Sequence, residues 1–97
     1  MFTIEFTQEA VDDLMLLRKF EQQRVVDAIE RQLPTQANKE SRNRKRLRPN
    51  RLAEWELRVG DCRVFYDVLE EYDIVKVIAV GFKVGNKLFV HGEEYEL

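Results

Sequence analysis

The sequence predicts an α+β fold: an N-terminal strand, a two-helix hairpin, then an antiparallel β-meander, with the helices packed on one face of the sheet. Three observations predict it. Phe2, Ile4 and Phe6 alternate with Thr3 and Glu5 at the start. Apolar residues recur at helical spacing in two stretches before Pro34. From Trp55 onward the pattern has period two and is broken by turn residues.

Each element has a local reason. Residues 2–6 alternate as a short strand with one buried face. Thr7 is placed to cap the first helix, and Glu9 suits its N-terminal dipole. Ala10 stands where a capping-box acid would sit. Val11, Leu14, Met15 and Arg18 follow 3-4 spacing, which sends Asp12 and Asp13 to the wet face. A second helix runs from about Glu21 to Leu33, with Val25, Ile29 and Leu33 on one stripe and Val26 beside it. Pro34 is expected to end it, because the proline ring blocks a helix interior. Residues 35–51 have no period, and long loops of this kind are often functional.

The second half is strand signal. Trp55, Leu57 and Val59 alternate with Glu54, Glu56 and Arg58. Gly60-Asp61 suits a two-residue type II′ hairpin turn. Cys62, Val64, Tyr66 and Val68 alternate with Arg63, Phe65 and Asp67. Residues 70–73 form a turn, and Ile74–Gly81 is apolar on both faces except Lys76, as a central strand should be. Lys87–His91 adds a last edge strand. The turn sets the register. Val59 faces Cys62, Arg58 faces Arg63, Leu57 faces Val64, Glu56 faces Phe65 and Trp55 faces Tyr66. Trp55, Leu57, Val59, Cys62, Val64 and Tyr66 then make the core face. Glu54, Glu56, Arg58, Arg63, Phe65 and Asp67 take the other.

At 97 residues the chain has room for one domain and one core. One cysteine, Cys62, excludes an intrachain disulfide framework and suits a reducing compartment. The N-terminus lacks the basic start and apolar run of a signal peptide. No apolar run is long enough to span a bilayer, so the expectation is a soluble cytoplasmic protein with no membrane partner. No Cys/His metal spacing or Gly-rich phosphate loop is present, so neither a metal nor another cofactor is expected.

Charge is uneven. The chain has 16 Lys+Arg and 18 Asp+Glu, a net charge of −2. Yet residues 39–51 hold seven bases (Lys39, Arg42, Arg44, Lys45, Arg46, Arg48, Arg51) and one acid, Glu40, a local charge of +6. Such a run reads as a solvated loop or as an electrostatic footprint for an anionic partner. Arg42, Arg44, Lys45, Arg46, Arg48 and Arg51, with Arg58 and Lys87, are the candidate nucleic-acid-binding residues. Arg58 opposite Arg63 is a like-charge pair. Glu56 and Asp67 could neutralise it on the surface, or the two guanidiniums could hold an oxyanion. Lys83 and Lys87 follow the central strand and could approach Arg63. His91 is the only histidine. It reads as a surface residue near an edge strand, and Cys62 as a buried hydrophobe.

The run Trp55-Glu56-Leu57-Arg58-Val59-Gly60-Asp61-Cys62-Arg63-Val64-Phe65-Tyr66 resembles the RelE/ParE superfamily of toxins from type II toxin–antitoxin systems. So do Val77-Ile78-Ala79-Val80-Gly81, the opening Ile4-Glu5-Phe6-Thr7, and the Leu-Arg-Pro-Asn segment at residues 47–50. The resemblance implies the RelE-like fold, a cytoplasmic location and a cognate antitoxin. It implies one of three functions. The first is a metal-independent endoribonuclease that cleaves mRNA on the ribosome. The second is a ParE-like inhibitor of DNA gyrase. The third is a non-toxic antitoxin-binding module. In the RelE case Arg63 matches an active-centre arginine, and Lys83 stands where RelE has a second one. Phe89 falls near a RelE tyrosine. Glu54 and Glu56 replace two lysines, and Glu56 is the candidate general base. The catalytic candidates are therefore Arg63, Lys83 and Glu56.

Overall fold

A computed structural model describes residues 1–96. Its elements are β1 (Thr3–Phe6), α1 (Gln8–Met15), α2 (Lys19–Gln36), β2 (Arg44–Arg46), β3 (Trp55–Val59), β4 (Cys62–Leu69), a 3-10 turn at Glu70–Tyr72, β5 (Ile74–Val84), β6 (Lys87–Val90) and β7 (Glu93–Tyr95). The strands form one sheet in the order β2-β3-β4-β5-β6-β7, and β1 pairs with β5. All neighbours are antiparallel except β1 and β5, which are parallel. The helices pack on one face, as the patterning predicts.

The hairpin follows from local chemistry. Gly60 has φ +60, the left-handed backbone the first turn position requires. All five cross-strand pairs expected between β3 and β4 are formed. Val25, Ile29, Leu33, Leu57, Val64, Tyr66, Val75 and Val77 form the main core between α2 and the sheet. Trp55 and Tyr66 stack at 6.1 Å between ring centroids. The Tyr66 hydroxyl donates to the Ala37 carbonyl at 2.8 Å.

β5 is central but its second edge is shared. β1 pairs with residues 74–77 and β6 with residues 82–84. The backbone between them has no strand beside it, and α1 fills the gap. Thr7 caps α1, accepting from the Ala10 N–H at 3.1 Å, and its hydroxyl donates to the Ile78 carbonyl at 2.9 Å. Asp13 Oδ2 accepts from the Val80 N–H at 2.9 Å, and Asp13 Oδ1 lies 2.9 Å from His91 Nδ1. This corrects the expectation that Asp13 faces water. It is 6% exposed, whereas Met15 and Val11 are 70% and 40% exposed. The inward face is Ala10, Asp13 and Leu14, because a buried strand N–H needs an acceptor and an aliphatic stripe offers none.

Other expectations change in the same way. Phe6 is exposed, while Phe2 and Ile4 pack on the core. Pro34 lies inside α2, which continues to Gln36. A proline in the last turn removes one hydrogen bond, and burial of Leu33 and Ala37 on either side favours continuing the helix. Residues 35–51 are not a plain loop: residues 35–36 complete α2, and 44–46 form the edge strand β2. Its outer edge is capped by its own chain. The Ser41 N–H donates to the Arg44 carbonyl at 2.9 Å, and Ser41 Oγ accepts from the Arg44 N–H at 3.2 Å. Lys87–Val90 is not the last strand, since β7 follows it.

The second face of the sheet is not wholly wet either. Phe65 is fully buried there, with Ala53, Ala79, Leu88 and Val90. The segment 47–53 closes this smaller core, and Asn50 shapes it. Its side chain donates to the carbonyls of Arg48 (2.7 Å) and Ala53 (2.8 Å), and accepts from the N–H groups of Leu52 (2.7 Å) and Ala53 (3.0 Å). Gly81 lets β6 close on β5, since an added Cβ would sit 2.5 Å from the Phe89 carbonyl.

Asp13→Ala should lower unfolding stability by about 1–3 kcal/mol in urea melts, the cost of a buried N–H left without its acceptor. Asp13→Asn keeps an acceptor and should lose less. Equal losses would show that the Val80 contact is not what Asp13 supplies.

Candidate nucleic-acid interface

Strand alternation sorts the basic run. Arg44 pairs with Leu57 and points to the helix side, whereas its neighbour Lys45 pairs with Glu56 on the other face. Arg44 is 7% exposed. Its guanidinium donates to the Gln32 side chain, to Gln36 Oε1 at 2.9 Å and to the Lys39 carbonyl at 3.1 Å. Arg44 therefore bolts β2 to α2 and is not an exposed nucleic-acid contact, which corrects that expectation. A buried guanidinium is tolerated because its donors are matched.

The face opposite the helices carries a cleft of about 780 Å³. It brings together Lys45, Arg46, Arg48, Arg58, Arg63, Lys83 and Lys87. Three acids, Glu56, Glu94 and Glu96, share its walls, so the lining carries a net charge of +4. Arg42 and Arg51 lie outside it. The positive charge of the basic segment and of the hairpin thus converges on one concave surface of a chain whose total charge is −2.

The hairpin turn positions the centre of this cleft. Arg58 and Arg63 face each other across the strands. Arg63 Nη1 donates to the carbonyls of Gly60 at 2.8 Å and Cys62 at 2.9 Å. The Lys83 N–H donates to the Asp61 carbonyl at 2.8 Å. The Arg63 guanidinium and the Lys83 backbone are therefore both tied to the Gly60-Asp61 turn. Gly81, opposite Arg63 in the register, places Lys83 two residues further along the same face. Glu56 is 9% exposed, and its carboxylate lies 3.4 Å from Arg58 Nε. It neutralises Arg58, as one reading of the sequence anticipates. Asp67 does not take part. It accepts from the Glu54 N–H at 2.8 Å.

Phe89 does not reach the cleft. It stacks on Phe82, 5.6 Å between centroids, on the helix side of the sheet. The aromatic residue in the cleft wall is Tyr95, which pairs with Leu88. The sequence reading missed it, because β7 is too short and acidic to show a strand period. Its only signal is one aromatic residue between glutamates. The structure also leaves Cys62 outside the cleft chemistry. Burial first, and the Glu21 carboxylate second, push its thiol above the ordinary value. Burial likewise pushes the Tyr66 phenol up. Among the described residues, no group of His, Cys, Asp and Glu is arranged to hold a metal ion. No helix among them is long and apolar enough to cross a membrane.

The fold is RelE-like. The toxin–antitoxin complex RelBE2 of Mycobacterium tuberculosis contains a chain that superposes with a TM-score of 0.66. The alignment covers 84% of this chain and 91% of that one, at 24% identity. The family described as "ParE toxin of type II toxin-antitoxin system, parDE" has a model that matches residues 4–82. The chain belongs to that family, within the RelE/ParE superfamily, and is a toxin of a type II toxin–antitoxin system. No curated protein matches it at a significant level.

Two outcomes test the assignment of individual residues. Arg44→Ala should cost about 2 kcal/mol of stability by denaturant unfolding, because buried charge-assisted hydrogen bonds are lost. Lys45→Ala, one residue away, should leave stability within about 0.5 kcal/mol. Cys62 and Tyr66 hold their protons more tightly when folded than unfolded. The stability they contribute is present at neutral pH and is lost as pH rises past the ordinary thiol and phenol values. Thermal melts should show this alkaline decline. A thiol reagent should label native Cys62 slowly at neutral pH and fast after denaturation.

Proposed function

We propose that this toxin binds and cleaves mRNA on the ribosome, with the basic cleft as its active surface. The observation that carries this reading is the convergence of Arg63, Lys83 and Arg58 with the Glu56 carboxylate and the Tyr95 phenol in one cleft. The RelE-type reaction needs a cationic seat for the scissile phosphate and a group that accepts the proton of the attacking ribose 2′-hydroxyl. Arg63 is the seat. One of its nitrogens is held by turn carbonyls, so the guanidinium is oriented before RNA arrives. Lys83 adds charge as the phosphorane develops, and the phosphorane then expels the 5′-oxygen, which takes a proton from solvent. Glu56 is the proton acceptor, its carboxylate positioned by Arg58 Nε at 3.4 Å. Lys45, Arg48 and Lys87 track the backbone on either side. A cognate antitoxin restrains the protein, a reading supported by family membership and by the RelBE2 complex.

A second reading is favoured by the family match itself. ParE-like members act on DNA gyrase, and Glu54 and Glu56 reverse the charge of two RelE lysines. In that case the cleft is a docking surface and no RNA is cut.

One paired assay separates the two. Wild type should cut ribosome-bound mRNA, and Arg63→Ala should lower cleavage at least a hundredfold, in line with loss of a transition-state donor. Purified protein should leave gyrase supercoiling unchanged. Inhibited supercoiling with intact mRNA would replace the first reading with the second.

A further inference from the structure

We propose that the C-terminal strand β7 is an electrostatic strap, which lies along the basic cleft and weakens its hold on a polyanion. The inference rests on the reading of the cleft as an RNA-backbone surface and adds its regulation.

The placement of β7 is what points to it. Three of residues 93–96 are glutamates; Glu94 and Glu96 border the cleft that the seven cations line, with Tyr95 in its wall, and Glu93 stands beside it against residues 50–52. The strand is attached lightly. It pairs with β6 alone, through Leu88↔Tyr95, Phe89↔Glu94 and Val90↔Glu93. Tyr95 rests on the smaller core. Among the described residues, no β7 carboxylate comes within 4.0 Å of a basic group. The acids therefore are not consumed in ion pairs. Their field stays available to repel phosphates entering the cleft.

The chain reaches this position through a two-residue hairpin turn. His91 and Gly92 have φ 54 and φ 77, so both central residues of the β6–β7 turn are left-handed. Two such residues make the tight turn that folds β7 back beside β6. Few non-glycine residues adopt this backbone, and histidine does so more readily than most. Here its Nδ1 is held 2.9 Å from Asp13 Oδ1, and the other oxygen of Asp13 is bonded to β5. The strap is thus aimed by a contact reaching from α1. A local device of this kind would keep the free protein from gripping RNA at large, while leaving productive binding to a site that supplies further contacts.

The test measures binding of a labelled single-stranded RNA to the full chain by fluorescence anisotropy, at low and high salt. The variant Glu93→Gln/Glu94→Gln/Glu96→Gln removes the charge and keeps the strand. Glu5→Gln/Glu9→Gln changes exposed acids outside the cleft as a control. Three carboxylates at water-like screening predict about tenfold tighter binding for the β7 variant at low salt, fading at high salt. The control should change less than about twofold. A β7 variant no tighter than the control overturns the strap. Arg63→Ala/Lys83→Ala in the wild-type background reports on the cleft separately. If that pair binds as tightly as wild type, the cleft reading fails. Binding by the β7 variant where wild type binds nothing supports the strap, and no binding by either overturns both.

Discussion

The buried edge of β5 is the constraint on which the rest depends. A central strand must satisfy both rows of its backbone groups, and here one row is covered by two short strands that do not meet. Between them, Thr7 and Asp13 complete the hydrogen bonding from a helix. That requirement sets the rotation of α1 and draws a carboxylate into the interior. It also ties the β6–β7 turn to the helix through His91. The end of the sheet that forms one wall of the cleft is therefore held by the same residue that completes its centre.

The cleft is built by alternation. Along β2 one side chain enters the protein and the next leaves it, so a basic run with one apparent character divides into two roles. Arg44 becomes a structural bolt and Lys45 joins the exposed charged surface, while Arg46, back on the side of Arg44, lies 5.8 Å over the Trp55 ring with Nη2 3.9 Å from the Glu54 carboxylate. The same alternation puts Arg58 and Arg63 together, and the Gly60-Asp61 turn supplies carbonyls that orient Arg63 and the backbone at Lys83. The like-charge pair is stabilised locally by Glu56, whose burial beside Arg58 strengthens their attraction relative to bulk water.

The basic cleft is a surface feature rather than a deep pocket. The cleft is open, charged and free of apolar walls beyond Leu47, Leu88 and Tyr95. Such a surface recognises a backbone or a charged partner by its field. The acids within it limit that field. Glu56 pairs with Arg58, while among the described residues no β7 carboxylate lies within ion-pair distance of a base.

The sequence by itself determined what near neighbours decide. Period two in residues 55–68 and one turn glycine specified the hairpin, its register and the meeting of Arg58 with Arg63. The helical stripe of α2 specified its buried face. The motif around Trp55 pointed to the superfamily. Only the tertiary structure decided the positions where a distant group overrides the local pattern. Asp13 is buried because Val80, 67 residues away, needs an acceptor. Arg44 is buried because Gln32 and Gln36 await it on α2. Phe65 is buried because the 47–53 segment folds over it. Phe89 gives way to Tyr95 in the cleft because the register of β5, β6 and β7 sets which face each ring takes. Periodicity reports which residues share a face. It carries no information on which far segment will cover that face, and hydrogen-bond demand across the sheet settles that.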